Sequence, residues 1–155
     1  MGNYMKINET DLVNGEGIRV SLFFSGCSHR CKNCFNQEAW DFNAGKPFTE
    51  ETVDKIIELL NKPYIRGLSI LGGEPFDNYS DLITICKRVK QETNNKDIWI
   101  WTGYNFSDIS DKEVLNFADV IVDGRYVEEE KDLSLAFRGS KNQQIWRKID
   151  GIWTT

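Results

Sequence analysis

Cys27, Cys31 and Cys34 stand in the stretch GCSHRCKNCFN with the spacing C-x3-C-x2-C. Three thiolates on one short loop can hold three corners of a four-iron cluster, whose remaining iron a fourth cysteine would otherwise complete. A set of three leaves that iron open to an outside ligand, which makes the cluster a place for chemistry as well as an electron store. Zinc is the competing reading, with His29 as the fourth ligand. Zinc favours closed tetrahedral sets with two or more residues between ligands. Only one residue separates His29 from Cys27 and from Cys31, and no second C-x2-C pair exists. The spacing therefore predicts a [4Fe-4S] cluster on Cys27, Cys31 and Cys34, with His29 a loop residue that tunes it through a hydrogen bond. Cys86 falls on an apolar helical stripe and reads as a small buried hydrophobe. As a fourth ligand it would close the open position.

Gly72-Gly73-Glu74-Pro75 is the second candidate. Missing side chains let a ligand approach the backbone, and a carboxylate can bind an ammonium group. A plain tight turn is the alternative. Thr102-Gly103 and Asp123-Gly124 follow apolar runs and suit contacts to a nucleotide or a partner. Arg125, Arg138 and Lys141 are single loop cations, any one of which could meet a carboxylate. The run from Glu128 to Asp132 reads as a solvated face.

The elements that must position these residues alternate in type. Ile18, Val20, Leu22 and Phe24 alternate with Arg19, Ser21 and Phe23, which predicts a strand running into the cysteine loop. A helix is expected over 49–61, with Thr49 as N-cap, Phe48 and Val53 as a hydrophobic staple, and Pro63 just beyond its end. Strands are expected over 67–71, 98–101 and 120–122, and a helix over 79–92. Ser110 with Glu113 forms a capping-box pattern opening another short helix. A terminal β-hairpin is expected from Gln144 to Thr154, turning at Asp150-Gly151. Strands alternating with helices imply βαβ units and parallel pairing. The fold class predicted is α/β: an open partial (β/α) barrel with a mainly parallel sheet, too few repeats for closure, and a C-terminal β-hairpin. The cysteine loop, Gly72–Pro75, Thr102-Gly103 and Asp123-Gly124 each follow a strand, so all should emerge at one sheet edge, where ligands bind.

Bulk properties narrow the class. A chain of 155 residues suits one domain over 1–155. With 40% apolar residues it can build a core, which argues against disorder. A net charge of −5 disfavours a nucleic-acid partner. No long apolar run spans a membrane, and the N-terminus lacks the apolar stretch of a signal peptide. Closely spaced cysteines in such a chain point to the cytoplasm and to metal rather than disulfides.

Together these segments resemble the radical S-adenosylmethionine (SAM) enzymes, including the aromatic Phe35 directly after the third cysteine. Asn14-Gly15-Glu16-Gly17, Gly72-Gly73-Glu74-Pro75, Trp101-Thr102-Gly103-Tyr104, Asp123-Gly124-Arg125-Tyr126 and Arg138-Gly139-Ser140 stand in the order found in one subfamily. That subfamily is the anaerobic ribonucleoside-triphosphate reductase activating proteins, small glycyl-radical activases. The resemblance runs from about residue 11 to about residue 147. It implies the barrel just described, a [4Fe-4S] cluster and SAM as cofactors, and reductive cleavage of SAM to a 5′-deoxyadenosyl radical. Gly73 and Glu74 would hold the amino group of SAM, with Gly72 beside them in the cofactor site. Asn33, Cys34 and Phe35 would line its adenine end, and Thr102 would complete the cofactor site. The implied partners are the large subunit of an anaerobic ribonucleoside-triphosphate reductase, which receives the glycyl radical, and reduced flavodoxin or a similar donor; a homodimer is allowed. Glu16 departs from the pattern, since similar proteins often have Pro there. Two other readings compete: another small radical SAM enzyme such as a 7-carboxy-7-deazaguanine synthase, or a non-catalytic iron–sulfur electron carrier that uses Cys86. The stretch Arg138 to Gln143 fits the activase better.

Overall fold

A computed structural model describes residues 2–29 and 40–155. Apolar residues at alternate positions of the central strands face the helices, and β5 and β6 carry apolar residues on the other face as well. Strand β1 (Asn3–Asp11) pairs antiparallel with β2 (Arg19–Phe24), and the short β3 (Lys46–Pro47) pairs antiparallel with β1. Helix α1 (Glu50–Leu60) leads to β4 (Gly67–Gly72), and α2 (Tyr79–Glu92) leads to β5 (Asp97–Trp101). A single helical turn, α3 (Phe106–Ile109), and a 3-10 turn at Glu113–Asn116 precede β6 (Val120–Asp123). Strands β7 (Gln144–Ile149) and β8 (Ile152–Thr154) close the chain as a hairpin. Asp150 and Gly151 both have positive φ, 51° and 80°, which matches the right-handed twist of a two-residue hairpin turn.

One eight-stranded sheet results, in the order β3-β1-β2-β4-β5-β6-β7-β8. The strands β2, β4, β5 and β6 are parallel, whereas β1, β3, β7 and β8 join antiparallel. The expectation of a mainly parallel sheet is thus corrected to a parallel centre with antiparallel flanks. The strand order is linear, with β3 and β8 at its ends, so among the described residues the sheet is open. No helix among them is long and apolar enough to cross a membrane.

The core lies between the sheet and its two long helices. Val20, Leu22, Phe24, Leu68, Ile70, Ile98, Ile100 and Ile121 pack in one cluster with Val53, Ile56 and Leu60 of α1 and Leu82, Ile85, Cys86 and Val89 of α2. Burying each such side chain contributes roughly 1.5–3 kcal/mol, which is why an 11-residue helix of ordinary propensity holds here. Thr49 caps α1: its hydroxyl accepts from the amide of Thr52, and the Thr52 hydroxyl accepts from the amide of Thr49. Phe48 and Val53 are both fully buried in the core. On the other face, Trp99, Val120 and Val122 form a second cluster with Trp101, Phe137 and Ile145.

Two local expectations change. Ser110 opens no helix; it is the C-cap of α3, and its hydroxyl donates back to the Ser107 carbonyl. Glu113 pairs with Lys87 on α2 at 3.0 Å, and the next amide, that of Val114, donates to the Tyr79 hydroxyl. Docking of buried Val114 and Leu115 thus replaces the expected capping box. Glu16, the departure noted above, is taken up by an ion pair of 2.8 Å with Arg147 of β7. That hydrogen bond and the neighbouring charge of Arg147 hold its carboxyl below the ordinary range despite some desolvation.

Candidate functional site

The loops after β2, β4, β5 and β6 do meet at one sheet edge, and hydrogen bonds tie them together. The amide of Gly73 donates to the Phe24 carbonyl at 3.2 Å and that of Glu74 to the Gly26 carbonyl at 2.7 Å. Gly72–Pro75 therefore continues the β2–β4 pairing right up to Cys27. A Cβ on Gly73 would lie 2.5 Å from the Gly26 carbonyl oxygen and 2.9 Å from that of Phe24. Backbone cannot yield to such contacts, so only glycine fits.

Glu74 sits at the centre, 1% exposed. Its Oε1 accepts from His29 Nε2 and from the Gly103 amide, both at 2.7 Å. Its Oε2 accepts from the Thr102 hydroxyl at 2.8 Å and the Phe76 amide at 2.9 Å. A buried carboxylate is tolerated when its oxygens are fully engaged, and here the donors come from three different loops. His29 in turn accepts at Nδ1 from Arg125 Nε, 3.2 Å away. These partners assign its ring proton to Nε2. Tyr104 meets the imidazole edge-on at 4.6 Å between ring centres.

Asp77, in the turn after Pro75, does the same work for the neighbouring residue. Its Oδ2 accepts from the amide and hydroxyl of Ser28 at 2.9 and 2.8 Å, and its Oδ1 from the Tyr104 hydroxyl at 2.6 Å. Donation to Asp77, with some burial, pushes the Tyr104 phenol above its ordinary value of 10.0. The two residues following the first cysteine are thus each held by a carboxylate of Glu74-Pro75-Phe76-Asp77. Ser28, Asp77 and the His29–Glu74 link were not foreseen; a second carboxylate three residues after Glu74 was the available signal.

Beside this network opens a cleft of about 280 Å³ lined by His29, Gly103, Tyr104, Asn105, Arg125 and Asn142, among others. Of the three loop cations, Arg125 alone lines this cleft. Arg138 instead donates to the Gln143 carbonyl at 3.1 Å, and the Lys141 amide joins the Glu130 carbonyl. Asp123 shapes its own loop by accepting from the amides of Phe106 and Gln144.

Of the cluster and cofactor residues expected from the sequence, Cys31, Cys34, Asn33 and Phe35 lie outside the described residues. Cys27 is described: it is buried, one residue past the Ser25-Gly26 turn, with its amide donating to the Trp40 carbonyl. A thiol there, beside a glycine-lined backbone, fits one corner of an iron–sulfur cluster. His29 does not fit as a zinc ligand, because both ring nitrogens are already engaged. Cys86 is fully buried in the apolar core, and burial pushes its thiol far above the ordinary range. A thiolate ligand from that position is therefore disfavoured.

The chain matches the family described as 4Fe-4S single cluster domain over residues 13–146. It is 42% identical over 153 residues to the anaerobic ribonucleoside-triphosphate reductase-activating protein of Enterobacteria phage T4, covering 97% of both chains. Its identity to the protein of that name from Vibrio cholerae is 44% over 151 residues, spanning 94% of this chain and 97% of the relative. With the Escherichia coli K12 protein of the same name it shares 41% over 149 residues, 92% and 97% of the two chains. Full-length similarity of this order, on a sheet edge built around the first of three cysteines, shows that the chain belongs to the anaerobic ribonucleoside-triphosphate reductase-activating protein family.

Proposed function

We propose that this protein is a radical SAM activase that installs a glycyl radical on an anaerobic ribonucleoside-triphosphate reductase. Cys27, Cys31 and Cys34 would hold a [4Fe-4S] cluster as its three protein ligands. When bound and reduced, that cluster supplies the single electron that splits SAM into methionine and a 5′-deoxyadenosyl radical. The hydrogen atom removed would come from a glycine α-carbon of the partner's large subunit, giving 5′-deoxyadenosine and a stored glycyl radical. The protein's own groups bind, orient and exclude water. The backbone of Gly72, Gly73 and Glu74 forms the subsite for the amino group of SAM, because the Glu74 carboxylate is already taken up by the chain's own donors. Asn33, Cys34 and Phe35 form that for adenine, and Thr102 fixes Glu74.

The observation that carries this reading is the joining of the Cys27 loop to Gly72–Pro75 and Thr102-Gly103 through Glu74. It brings the cluster-bearing loop and the glycine-lined loop to one edge, the arrangement a cofactor bridging both requires. The open sheet fits a partial (β/α) barrel of the radical SAM type, left open for a polypeptide substrate. A reduced flavodoxin or similar donor in the cytoplasm completes the scheme, and a homodimer is compatible with it. The electron-carrier alternative needs Cys86, whose burial in the apolar core disfavours it. The relatives' shared name favours the activase over the deazaguanine-synthase alternative.

Anaerobic reconstitution followed by reduction with SAM tests the proposal. Methionine and 5′-deoxyadenosine should appear, and addition of the reductase should give a glycyl doublet in electron paramagnetic resonance (EPR). No cleavage by a reconstituted cluster would refute it.

A further inference from the structure

We infer that His29 is a positioning residue that sets the direction of the cysteine loop, acting through Glu74 and oriented by Arg125. The inference rests on the reading of that loop as cluster-bearing, and it concerns the chain's own groups. A carboxylate has about four acceptor sites. In Glu74 the chain fills all of them, and three of the four donors belong to the segments after β4 and β5. The fourth, His29 Nε2, is the one contributed by the cysteine loop, and it reaches across 45 positions of sequence. Side-chain exposure is 3% for His29 and 1% for Glu74, so water has no access to replace either partner.

The surroundings favour a directional bond over a space-filling ring. Arg125 Nε donates to Nδ1, which leaves Nε2 to carry the proton toward Glu74; one tautomer serves both contacts. Gly103 gives the ring its place: a Cβ there would lie 2.6 Å from the imidazole Cδ2. Ser28 alongside is held by Asp77. The path the chain takes out of Cys27 is therefore fixed by two adjacent side-chain anchors on one turn. Of these, His29 is the one shared with the loops that the cofactor reading assigns to SAM.

His29→Gln keeps an N–H donor near the Nε2 position, whereas His29→Phe keeps the ring and loses the donor. The readout is the SAM-dependent change in the EPR signal of the reduced, reconstituted protein, titrated with SAM and accompanied by iron analysis. Iron content should be unchanged in both variants. Loss of a donor to a buried carboxylate should raise the SAM concentration for half-change about tenfold in His29→Phe, with His29→Gln within about twofold of wild type. Arg125→Gln, on an exposed residue, should give about a threefold rise by loosening the imidazole. A His29→Phe titration like wild type, or a His29→Gln as impaired as His29→Phe, overturns the inference. If His29→Phe fails to fold, an unchanged Arg125→Gln overturns it equally.

A second measurement is independent of the cluster. His29 is the chain's single histidine, so the chain gives one pair of imidazole nitrogen resonances. They should show the proton on Nε2, with Nδ1 shifting in Arg125→Gln. A proton found on Nδ1 overturns the inference, whereas a wild type that ignores SAM overturns only the functional reading.

Discussion

Glu74 and Asp77 lie three positions apart and between them receive the side chains of Ser28, His29, Thr102 and Tyr104. Removing one acceptor from such a cluster strands buried donors, which costs about 1–3 kcal/mol. Glu74→Gln replaces an acceptor oxygen by an NH2 that must face another donor. It should lower unfolding stability by about that amount in a denaturant titration. Gly103→Ala pushes a methyl into the His29 ring and should destabilise by roughly 1–3 kcal/mol, with loss of SAM cleavage exceeding loss of fold. Cys86→Ala separates the cluster question from the core. The variant should keep its full iron content while losing about 1 kcal/mol of stability, since a buried thiol is replaced by a smaller group. Loss of iron in Cys86→Ala would restore the electron-carrier reading.

At the scale of elements, the parts visible in the sequence are those whose partners are local. Helix α2 is legible from Leu82, Ile83, Cys86 and Val89 and spans Tyr79–Glu92, though Ile83 is only partly buried and Ile85 is fully buried in the core. The β7–β8 hairpin is legible because Asp150-Gly151 dictates its turn. Strand β1 is hidden, because its sequence NYMKINETD has no clean alternation and it sits near the sheet edge with mostly half-exposed or exposed residues. Only Tyr4 and Ile7 of that strand pack against the core. The His29–Glu74 link is hidden for another reason: no periodicity connects two residues 45 apart. The loop after β1 carries its own electrostatic test. Asp11 is desolvated, which raises its pKa. Donors from Ser21, the Asn14 side chain, and the amides of Val13 and Asn14 together outweigh this and hold it below 3.8. A depressed carboxyl stabilises the fold above its unfolded pKa and loses that contribution as pH falls through the folded value. Asp11→Asn should therefore cost stability at neutral pH and flatten the decline in stability below about pH 4, read from thermal unfolding across pH.

For the molecule as a whole, the described residues assigned to chemistry, Cys27, Gly72, Gly73, Glu74 and Thr102, lie on or beside loops at one sheet edge, while α1 and α2 seal one face. On the proposed function, a partner polypeptide completes the site at that edge. That division of labour matches a substrate that is itself a protein backbone. Its net charge of −5 makes encounter with an acidic surface unfavourable. Beneath all of this is the claim that three cysteines hold four irons and leave one for SAM. Mössbauer spectra of the iron-57 reconstituted protein, recorded with and without SAM, test it most directly. The account predicts that one iron site of four changes its parameters when SAM is added; four sites that stay unaltered by SAM would contradict it.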